Sequence, residues 1–158
     1  MQTSLQRTAN KARRNKRHRF RNLYTILNGR FLIESWFRLN RKAASGVDRI
    51  TAKEYSSNLQ LNIRDLFNNL KKKRYNAKLV RRTYIPKGND QLRPLGIPST
   101  QDKLLQKGVT RILNANFEQD FLPVSFGCRL NLGEIDAIQV FKLISLVGEF
   151  CLYSGYRY

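Results

Sequence analysis

Four cations, Arg81, Arg82, Lys87 and Arg93, stand on one short ribbon, and the chemistry they suit is the binding of phosphate oxygens. A guanidinium grips such oxygens in pairs, and an ammonium acts as a compact point charge. The ribbon reads as a hairpin: Val80, Thr83, Tyr84 and Ile85 favour extended backbone and run into Pro86. Gly88-Asn89-Asp90 has turn composition, and Gln91 to Ile97 leads back. Arg82 is one residue out of phase with Arg81, so on a strand it faces the other way, toward a different phosphate backbone or solvent. A plainer reading also stands, in which cations on an edge hairpin only guard it against aggregation. The complementary chemistry is missing. Two-metal phosphoryl transfer needs carboxylates that converge on divalent ions, and the eleven acids form no such group. Asp48, Glu54 and Asp65 fall in a turn and a helix, Asp102 in a helical first turn, and Glu118 and Asp120 in a loop. Glu134 and Asp136 are two apart, which separates them around a helix. No catalytic residue and no metal ligand set is predicted. Cys128 and Cys151 are far apart, and His18 is the only histidine.

The charge balance points the same way. The 158 residues carry a net charge of +19, which favours a polyanionic partner, with nucleic acid as the default and a membrane surface as the runner-up. No apolar run approaches the roughly 18 residues of a spanning helix, so no membrane partner is expected. Residues 1 to 42 hold twelve of the thirty cations against Glu34 alone, and residues 71 to 93 hold nine against Asp90 alone. Two basic patches follow. Two thiols suit a reducing compartment, and the N-terminus lacks the apolar core of a secretory signal. Bacterial cytoplasm is expected, and the Arg-rich start keeps an organelle as the alternative.

The elements that must carry these cations are mostly helical. A first helix is predicted whose basic half (Arg13, Arg14, Lys16, Arg17, Arg19, Arg21) has no apolar face and gives way to Phe20, Leu23, Tyr24 and Leu27 at helical spacing. That basic half is either a tail that orders on RNA or a solubilising extension. Asn28-Gly29 breaks the pattern. A second helix is predicted over Arg30 to Ala44 with Phe31, Ile33, Trp36 and Phe37 inward, closed by Ser45-Gly46. Thr51 and Glu54 have capping-box spacing, so a third should run to about Lys73 with Leu59, Ile63, Leu66, Phe67 and Leu70 on its apolar face. Lys71, Lys72, Lys73 and Arg74 at its end suit the helix dipole and exceed what capping needs, which places the excess near the hairpin. Ser99 or Thr100 should cap a fourth, Gln101 to about Asn116, with Leu104, Leu105, Val109, Ile112 and Leu113 buried and Gly108 against another backbone. Lys103 and Lys107 share one of its faces and suit a phosphate backbone. A last helix is expected from about Gly133 to Leu152.

The run YIPKGNDQLRPLGIPSTQDKLLQ resembles a block in the fingers of group II intron-encoded reverse transcriptases. KAASGVDRITAKEYSSNLQLNIRDLFNNLKKKRY is similar to the block before it, FEQDFLPVSFGCR to the block after it, and SGYRY to the residues just before the palm. The resemblance covers roughly Trp36 to Tyr158. It implies an α+β fold, a mostly helical fingers module of a right-hand polymerase with one basic β-hairpin, preceded by a basic extension over residues 1 to 45 that grips RNA. It implies nucleotide contact for Arg81, Lys87 and Arg93, and template shaping for Gly96 and Pro98. Arg129 matches a template- or nucleotide-facing arginine, although Cys128, Leu130 and the run 131–134 depart from the pattern there. The palm aspartates of the family would follow Tyr158. The resemblance therefore implies the N-terminal part of a reverse transcriptase and maturase, over residues 46 to 158 an incomplete fingers region. RNA, whether intron or template, is the expected partner, with a deoxynucleoside triphosphate as a weaker one. No polymerase activity is expected alone, and Mg2+ enters only in complete relatives. The alternatives are a palm and thumb polypeptide supplied in trans, or an unrelated basic RNA-binding protein. An apolar patch at Phe141, Ile144 and Tyr158 is expected where the palm would lie.

Overall fold

The computed structural model describes residues 4–87 and 91–147. Among them the chain forms six α-helices and one antiparallel hairpin, an α+β arrangement. The helices are α1 (Ser4–Arg14), α2 (Gly29–Phe37), α3 (Ala52–Ser57), α4 (Leu59–Lys71), α5 (Thr100–Phe117) and α6 (Glu134–Val147), and the strands are β1 (Arg81–Pro86) and β2 (Leu92–Ile97). The hairpin turn at residues 88–90, and the expected end of the last helix at Leu152, lie outside the described residues.

The core sits where α2 crosses α4 and α5, and is built from Phe31, Leu32 and Trp36 of α2, Ile63 and Leu66 of α4, and Leu104 and Ile112 of α5. Leu27 and Tyr55 complete it, with the rings of Trp36 and Tyr55 5.2 Å apart. Burial, with the charge of Asp65 second, pushes the Tyr55 phenol up to about 12. Gly108 lies in this core. A Cβ there would stand 2.9 Å from Leu27 Cδ1, so the close approach is to side chains of the α2 region rather than to another backbone.

Several elements differ from their sequence-based expectation, each for a local reason. The N-terminal helix ends at Arg14. Asn22 takes a left-handed conformation (φ 59°) and a single 3-10 turn spans Leu23–Ile26, so Tyr24 is half-exposed while Leu27 turns inward. Nor is α1 without an inner face, because Thr8 and Ala12 are buried and Leu5 packs on the core. Asn28 caps α2 by accepting from the Phe31 N–H at 2.9 Å, and α2 stops at Phe37, which is exposed, well before Ala44. The capping box at Thr51 and Glu54 is present, but the helix behind it is two helices with a break at Asn58. There Ser56 and Ser57 hydroxyls donate to the carbonyls of Lys53 and Glu54, both at 2.6 Å, and the Asn62 amide donates to Tyr55 O at 2.9 Å. Such side chains compete with the i−4 amides for helix carbonyls. On α5, Val109 and Leu113 are exposed and the buried row is Leu104, Gly108 and Ile112.

The last helix stands apart in character. α6 starts where the Gly133 N–H donates to Asp136 Oδ2 at 2.8 Å, and it exposes Ile135, Ile138, Phe141, Leu143 and Ile144. The expected patch at Phe141 and Ile144 is therefore open, while Tyr158 lies outside the described residues. Among the described residues no helix is long and apolar enough to cross a membrane.

Candidate nucleic-acid and phosphate interface

Strand pairing decides which cations share a face. Arg81 pairs with Ile97, Thr83 with Leu95 and Ile85 with Arg93, while Arg82 pairs with Gly96, Tyr84 with Pro94 and Pro86 with Leu92. Paired residues lie on the same side of a ribbon, and successive residues alternate. Arg81 and Arg93 therefore look out from one face. The Lys87 N–H donates to Gln91 O at 2.8 Å, which continues the ladder by one pair and brings Lys87 to that face. Arg82 lies on the other, with Tyr84, Pro94 and Gly96. At about 3.3 Å per residue, Arg93 stands roughly 13 Å along the ribbon from Arg81, and Lys87 about 7 Å further. Every described ribbon residue except Arg81 and Ile97 is exposed, and among the described residues none of these cations has an ion-pair partner.

Both feet of the ribbon are fastened at the start of α5. Asp102, only 4% exposed, accepts from the Ser99 hydroxyl at 2.6 Å, from the Lys78 N–H at 3.2 Å and from the Tyr75 hydroxyl. Burial, then this hydrogen bond, raises the Tyr75 phenol far above its ordinary value. The Ser99 hydroxyl in turn accepts from the Asp102 N–H at 3.2 Å and caps the helix. One carboxylate thus ties the segment entering β1 to the residue that leaves β2. Thr100 adds a bond to Ile50 O at 2.7 Å. Gly46 presses on the same place, since a Cβ there would lie 2.6 Å from Ser99 Cα.

The base of the ribbon is electropositive. Arg81 Nε is buried with no hydrogen-bond partner. Lys103, which donates to Ala44 O, is held below the ordinary lysine range by burial, then by the charge of Arg81, with Asp48 opposing. Lys78 Nζ reaches Asp48 Oδ2 at 3.0 Å. Three cations, Arg81, Lys78 and Lys103, thus gather here, and of the two acids beside them Asp102 accepts from hydroxyl and backbone donors while Asp48 alone is ion-paired.

The remaining candidates divide. Arg13 Nε donates to Gln119 Oε1 at 3.4 Å, and Lys16 donates to Gln119 O and pairs with Asp120 at 3.2 Å. Arg14, Arg17, Arg19, Arg21 and Lys71 through Arg74 are exposed, and Lys107 and Pro98 are half-buried. Gly96 is exposed, with room for a Cβ only 3.2 Å from Val80 Cγ2. Arg129 is occupied within its own loop. It bonds Glu118 Oε1 through Nε at 3.0 Å, Leu122 O at 3.1 Å and Ser125 O at 2.7 Å, and lies over the Phe121 ring.

Sequence reasoning missed Arg111. Its guanidinium bonds Ser35 Oγ at 2.7 Å and Phe31 O at 3.3 Å, pairs with Glu34 at 3.3 Å and lies 4.2 Å over the Phe31 ring. It also missed Asp102 as an anchor, although the Ser99-x-x-Asp102 spacing was there to read as a cap. Among the described residues no three His, Cys, Asp or Glu side chains gather as a metal site.

No protein-family model matches the chain. It is 34% identical over 98 residues to protein YkfC of Escherichia coli strain K12, a stretch that is 62% of this chain and 26% of that protein. It is 44% identical over 68 residues to the group II intron-encoded protein LtrA of Lactococcus lactis subsp. cremoris, a stretch that is 42% of this chain and 11% of LtrA. The chain thus spans about a quarter or less of the curated relatives it matches, and its similarity to a group II intron-encoded protein is partial.

Proposed function

We propose that this chain is the fingers-like, polyanion-gripping part of a group II intron reverse transcriptase and maturase, binding template or intron RNA and the triphosphate of an incoming nucleotide. The observation that carries the reading is the register that turns Arg81, Lys87 and Arg93 to one face of an exposed ribbon. Partial similarity to LtrA supports it. Two guanidiniums can take phosphate oxygens in pairs while Lys87 supplies a movable charge. Arg82, with Tyr84 beside it on the opposite face, suits a template strand. Lys71 through Arg74, Lys103 and Lys107 widen the positive surface. Carboxylates to hold divalent ions would come from a palm segment, in the same polypeptide or another. The open apolar side of α6 is the place for that segment to cover.

The test is RNA binding as a function of salt. Affinity should fall linearly on a logarithmic plot, and Lys87→Ala and Arg93→Ala should each lower the slope by about 0.7 to 0.9, one released counterion per lost phosphate contact. A salt-independent affinity would overturn the reading.

A further inference from the structure

We infer that Lys103 is a covalent modification site, acylated by a small acyl phosphate of the acetyl phosphate type whose phosphate group Arg81 holds. It rests on the reading above only in taking Arg81 as a phosphate ligand. Strand pairing and helix capping bring the two residues to one place. Arg81 opens β1 opposite Ile97, the last residue of β2. Ser99, just beyond Ile97, caps α5, and its carbonyl accepts from the Lys103 N–H at 2.9 Å. Lys103 therefore stands in the first turn of α5, at the base of the ribbon. Its surroundings suit a neutral amine. Among the described residues it has no ion-pair partner, and its side chain donates to a carbonyl, Ala44 O. A neutral amine keeps that bond, since it still has two N–H groups, and its lone pair is left to attack. The nearby carboxylates are engaged elsewhere: Asp102 accepts from Ser99, Lys78 and Tyr75, and Asp48 pairs with Lys78 at 3.0 Å. Desolvation and a neighbouring cation are what activate a lysine as a nucleophile, and Lys103 has both, in burial and in Arg81, with Asp48 opposing.

Arg81 supplies the other half. Its Nε is buried without a hydrogen-bond partner, a cost that an anion drawing the guanidinium toward itself relieves. An acyl phosphate seated there presents its acyl carbon to the adjacent lysine. The Lys103 Nζ lone pair attacks that carbon, a C–N bond forms and the C–O bond to phosphate breaks. The electron pair leaves with the phosphate, which also takes the amine proton, so the products are an amide and hydrogen phosphate. Acylation removes the charge of Lys103 but leaves one N–H to bond Ala44 O, so it dims the positive base of the ribbon without loosening the fold. Lys78 is the contrast within the same cluster: it is exposed, yet its ammonium is engaged by Asp48.

The experiment incubates the full chain with acetyl phosphate and follows the acetylation of each lysine by mass spectrometry of its peptides. Lys103 should react at least about tenfold faster than Lys78 and than Lys53, which is exposed on α3. Inorganic pyrophosphate should slow Lys103 severalfold and leave Lys53 unchanged. With acetic anhydride, which has no phosphate for Arg81 to hold, the preference for Lys103 should shrink and become insensitive to pyrophosphate. Arg81→Gln should abolish the preference under acetyl phosphate, and Arg81→Lys, which keeps the charge but not the fork, should lower it. Pyrophosphate protection is read on the wild-type chain, so the test survives a variant that does not fold. Equal rates at Lys103 and Lys53, faster reaction at Lys78, or a preference that is the same with anhydride and unmoved by pyrophosphate would each overturn the inference. If Lys103 shows no preference while the Lys87 and Arg93 variants weaken RNA binding, the inference fails and the hairpin reading stands. If Lys103 is preferred and protected while those variants bind RNA as wild type, the inference stands and the hairpin reading fails.

Discussion

The two ends of α5 use cations in opposite ways. At its start, beside the ribbon, Arg81, Lys87 and Arg93 share one ribbon face with no acid paired to them among the described residues, and the acid that is buried there, Asp102, serves backbone and hydroxyl donors instead. Toward its end, Arg111, Arg129 and Lys16 each meet a carboxylate, Glu34, Glu118 and Asp120 respectively. Most of the chain's few acids are thus committed to holding structure together, and the ribbon is left unneutralised. In so basic a chain, where the acids sit identifies a binding surface better than where the cations sit.

That contrast can be broken at either end. The largest stability effect should come from Arg111→Ala, which strips the Ser35 hydroxyl and Phe31 carbonyl of a donor. We expect a cost of about 3 kcal/mol, seen as a fall in Tm of roughly 6 to 12 °C, with the salt slope of RNA binding unchanged. Asp102→Ala comes next, at about 2 kcal/mol, because the Ser99 hydroxyl, the Lys78 N–H and the Tyr75 hydroxyl all lose their acceptor. Unlike the Arg111 change, it should weaken RNA binding as well, because both feet of the ribbon come loose. Tyr75→Phe should cost about 1 kcal/mol and carry a pH signature. A phenol whose folded pKa is raised stabilises fully below the ordinary value of 10.0 and progressively less above it. Urea melts between about pH 9 and 11 should show a shallower alkaline loss in the variant. Smallest for stability are Lys87→Ala and Arg93→Ala, within about 0.5 kcal/mol of wild type, although they should have the clearest effect on RNA affinity. If Arg93→Ala destabilised the chain as much as Arg111→Ala, the contrast between the ends would be lost.

The ribbon was the most legible part of the sequence. Period-two alternation separates Arg81 from Arg82 without any tertiary information, and the extended runs on either side of residues 88–90 leave little choice of pairing. The helical part was legible in kind but not in bounds. Leu59 through Leu70 continue the apolar period of α3 so smoothly that the break at Asn58, made by serine and asparagine side chains, does not show. Phe20, Leu23, Tyr24 and Leu27 imitate a helix because apolar spacing cannot reveal that Asn22 has left-handed backbone. On α5 the inward row was read correctly at Leu104, Leu105 and Ile112 but too wide, because Val109 and Leu113 look more apolar than Gly108, whose missing side chain is what admits Leu27. Arg111 was illegible because one arginine among thirty cations looks like any other until Glu34 and Ser35 are brought to it.

Gly46 lies in an ordinary-looking turn far from any cation of the ribbon in sequence, yet its lone hydrogen is all the clearance that the Pro98-Ser99 backbone allows. Even alanine would push that backbone aside and unseat the hydroxyl that starts α5 and steadies Asp102. In a library of random variants, position 46 should tolerate change as poorly as Trp36, and survivors there should carry a compensating shift at residues 98 or 99.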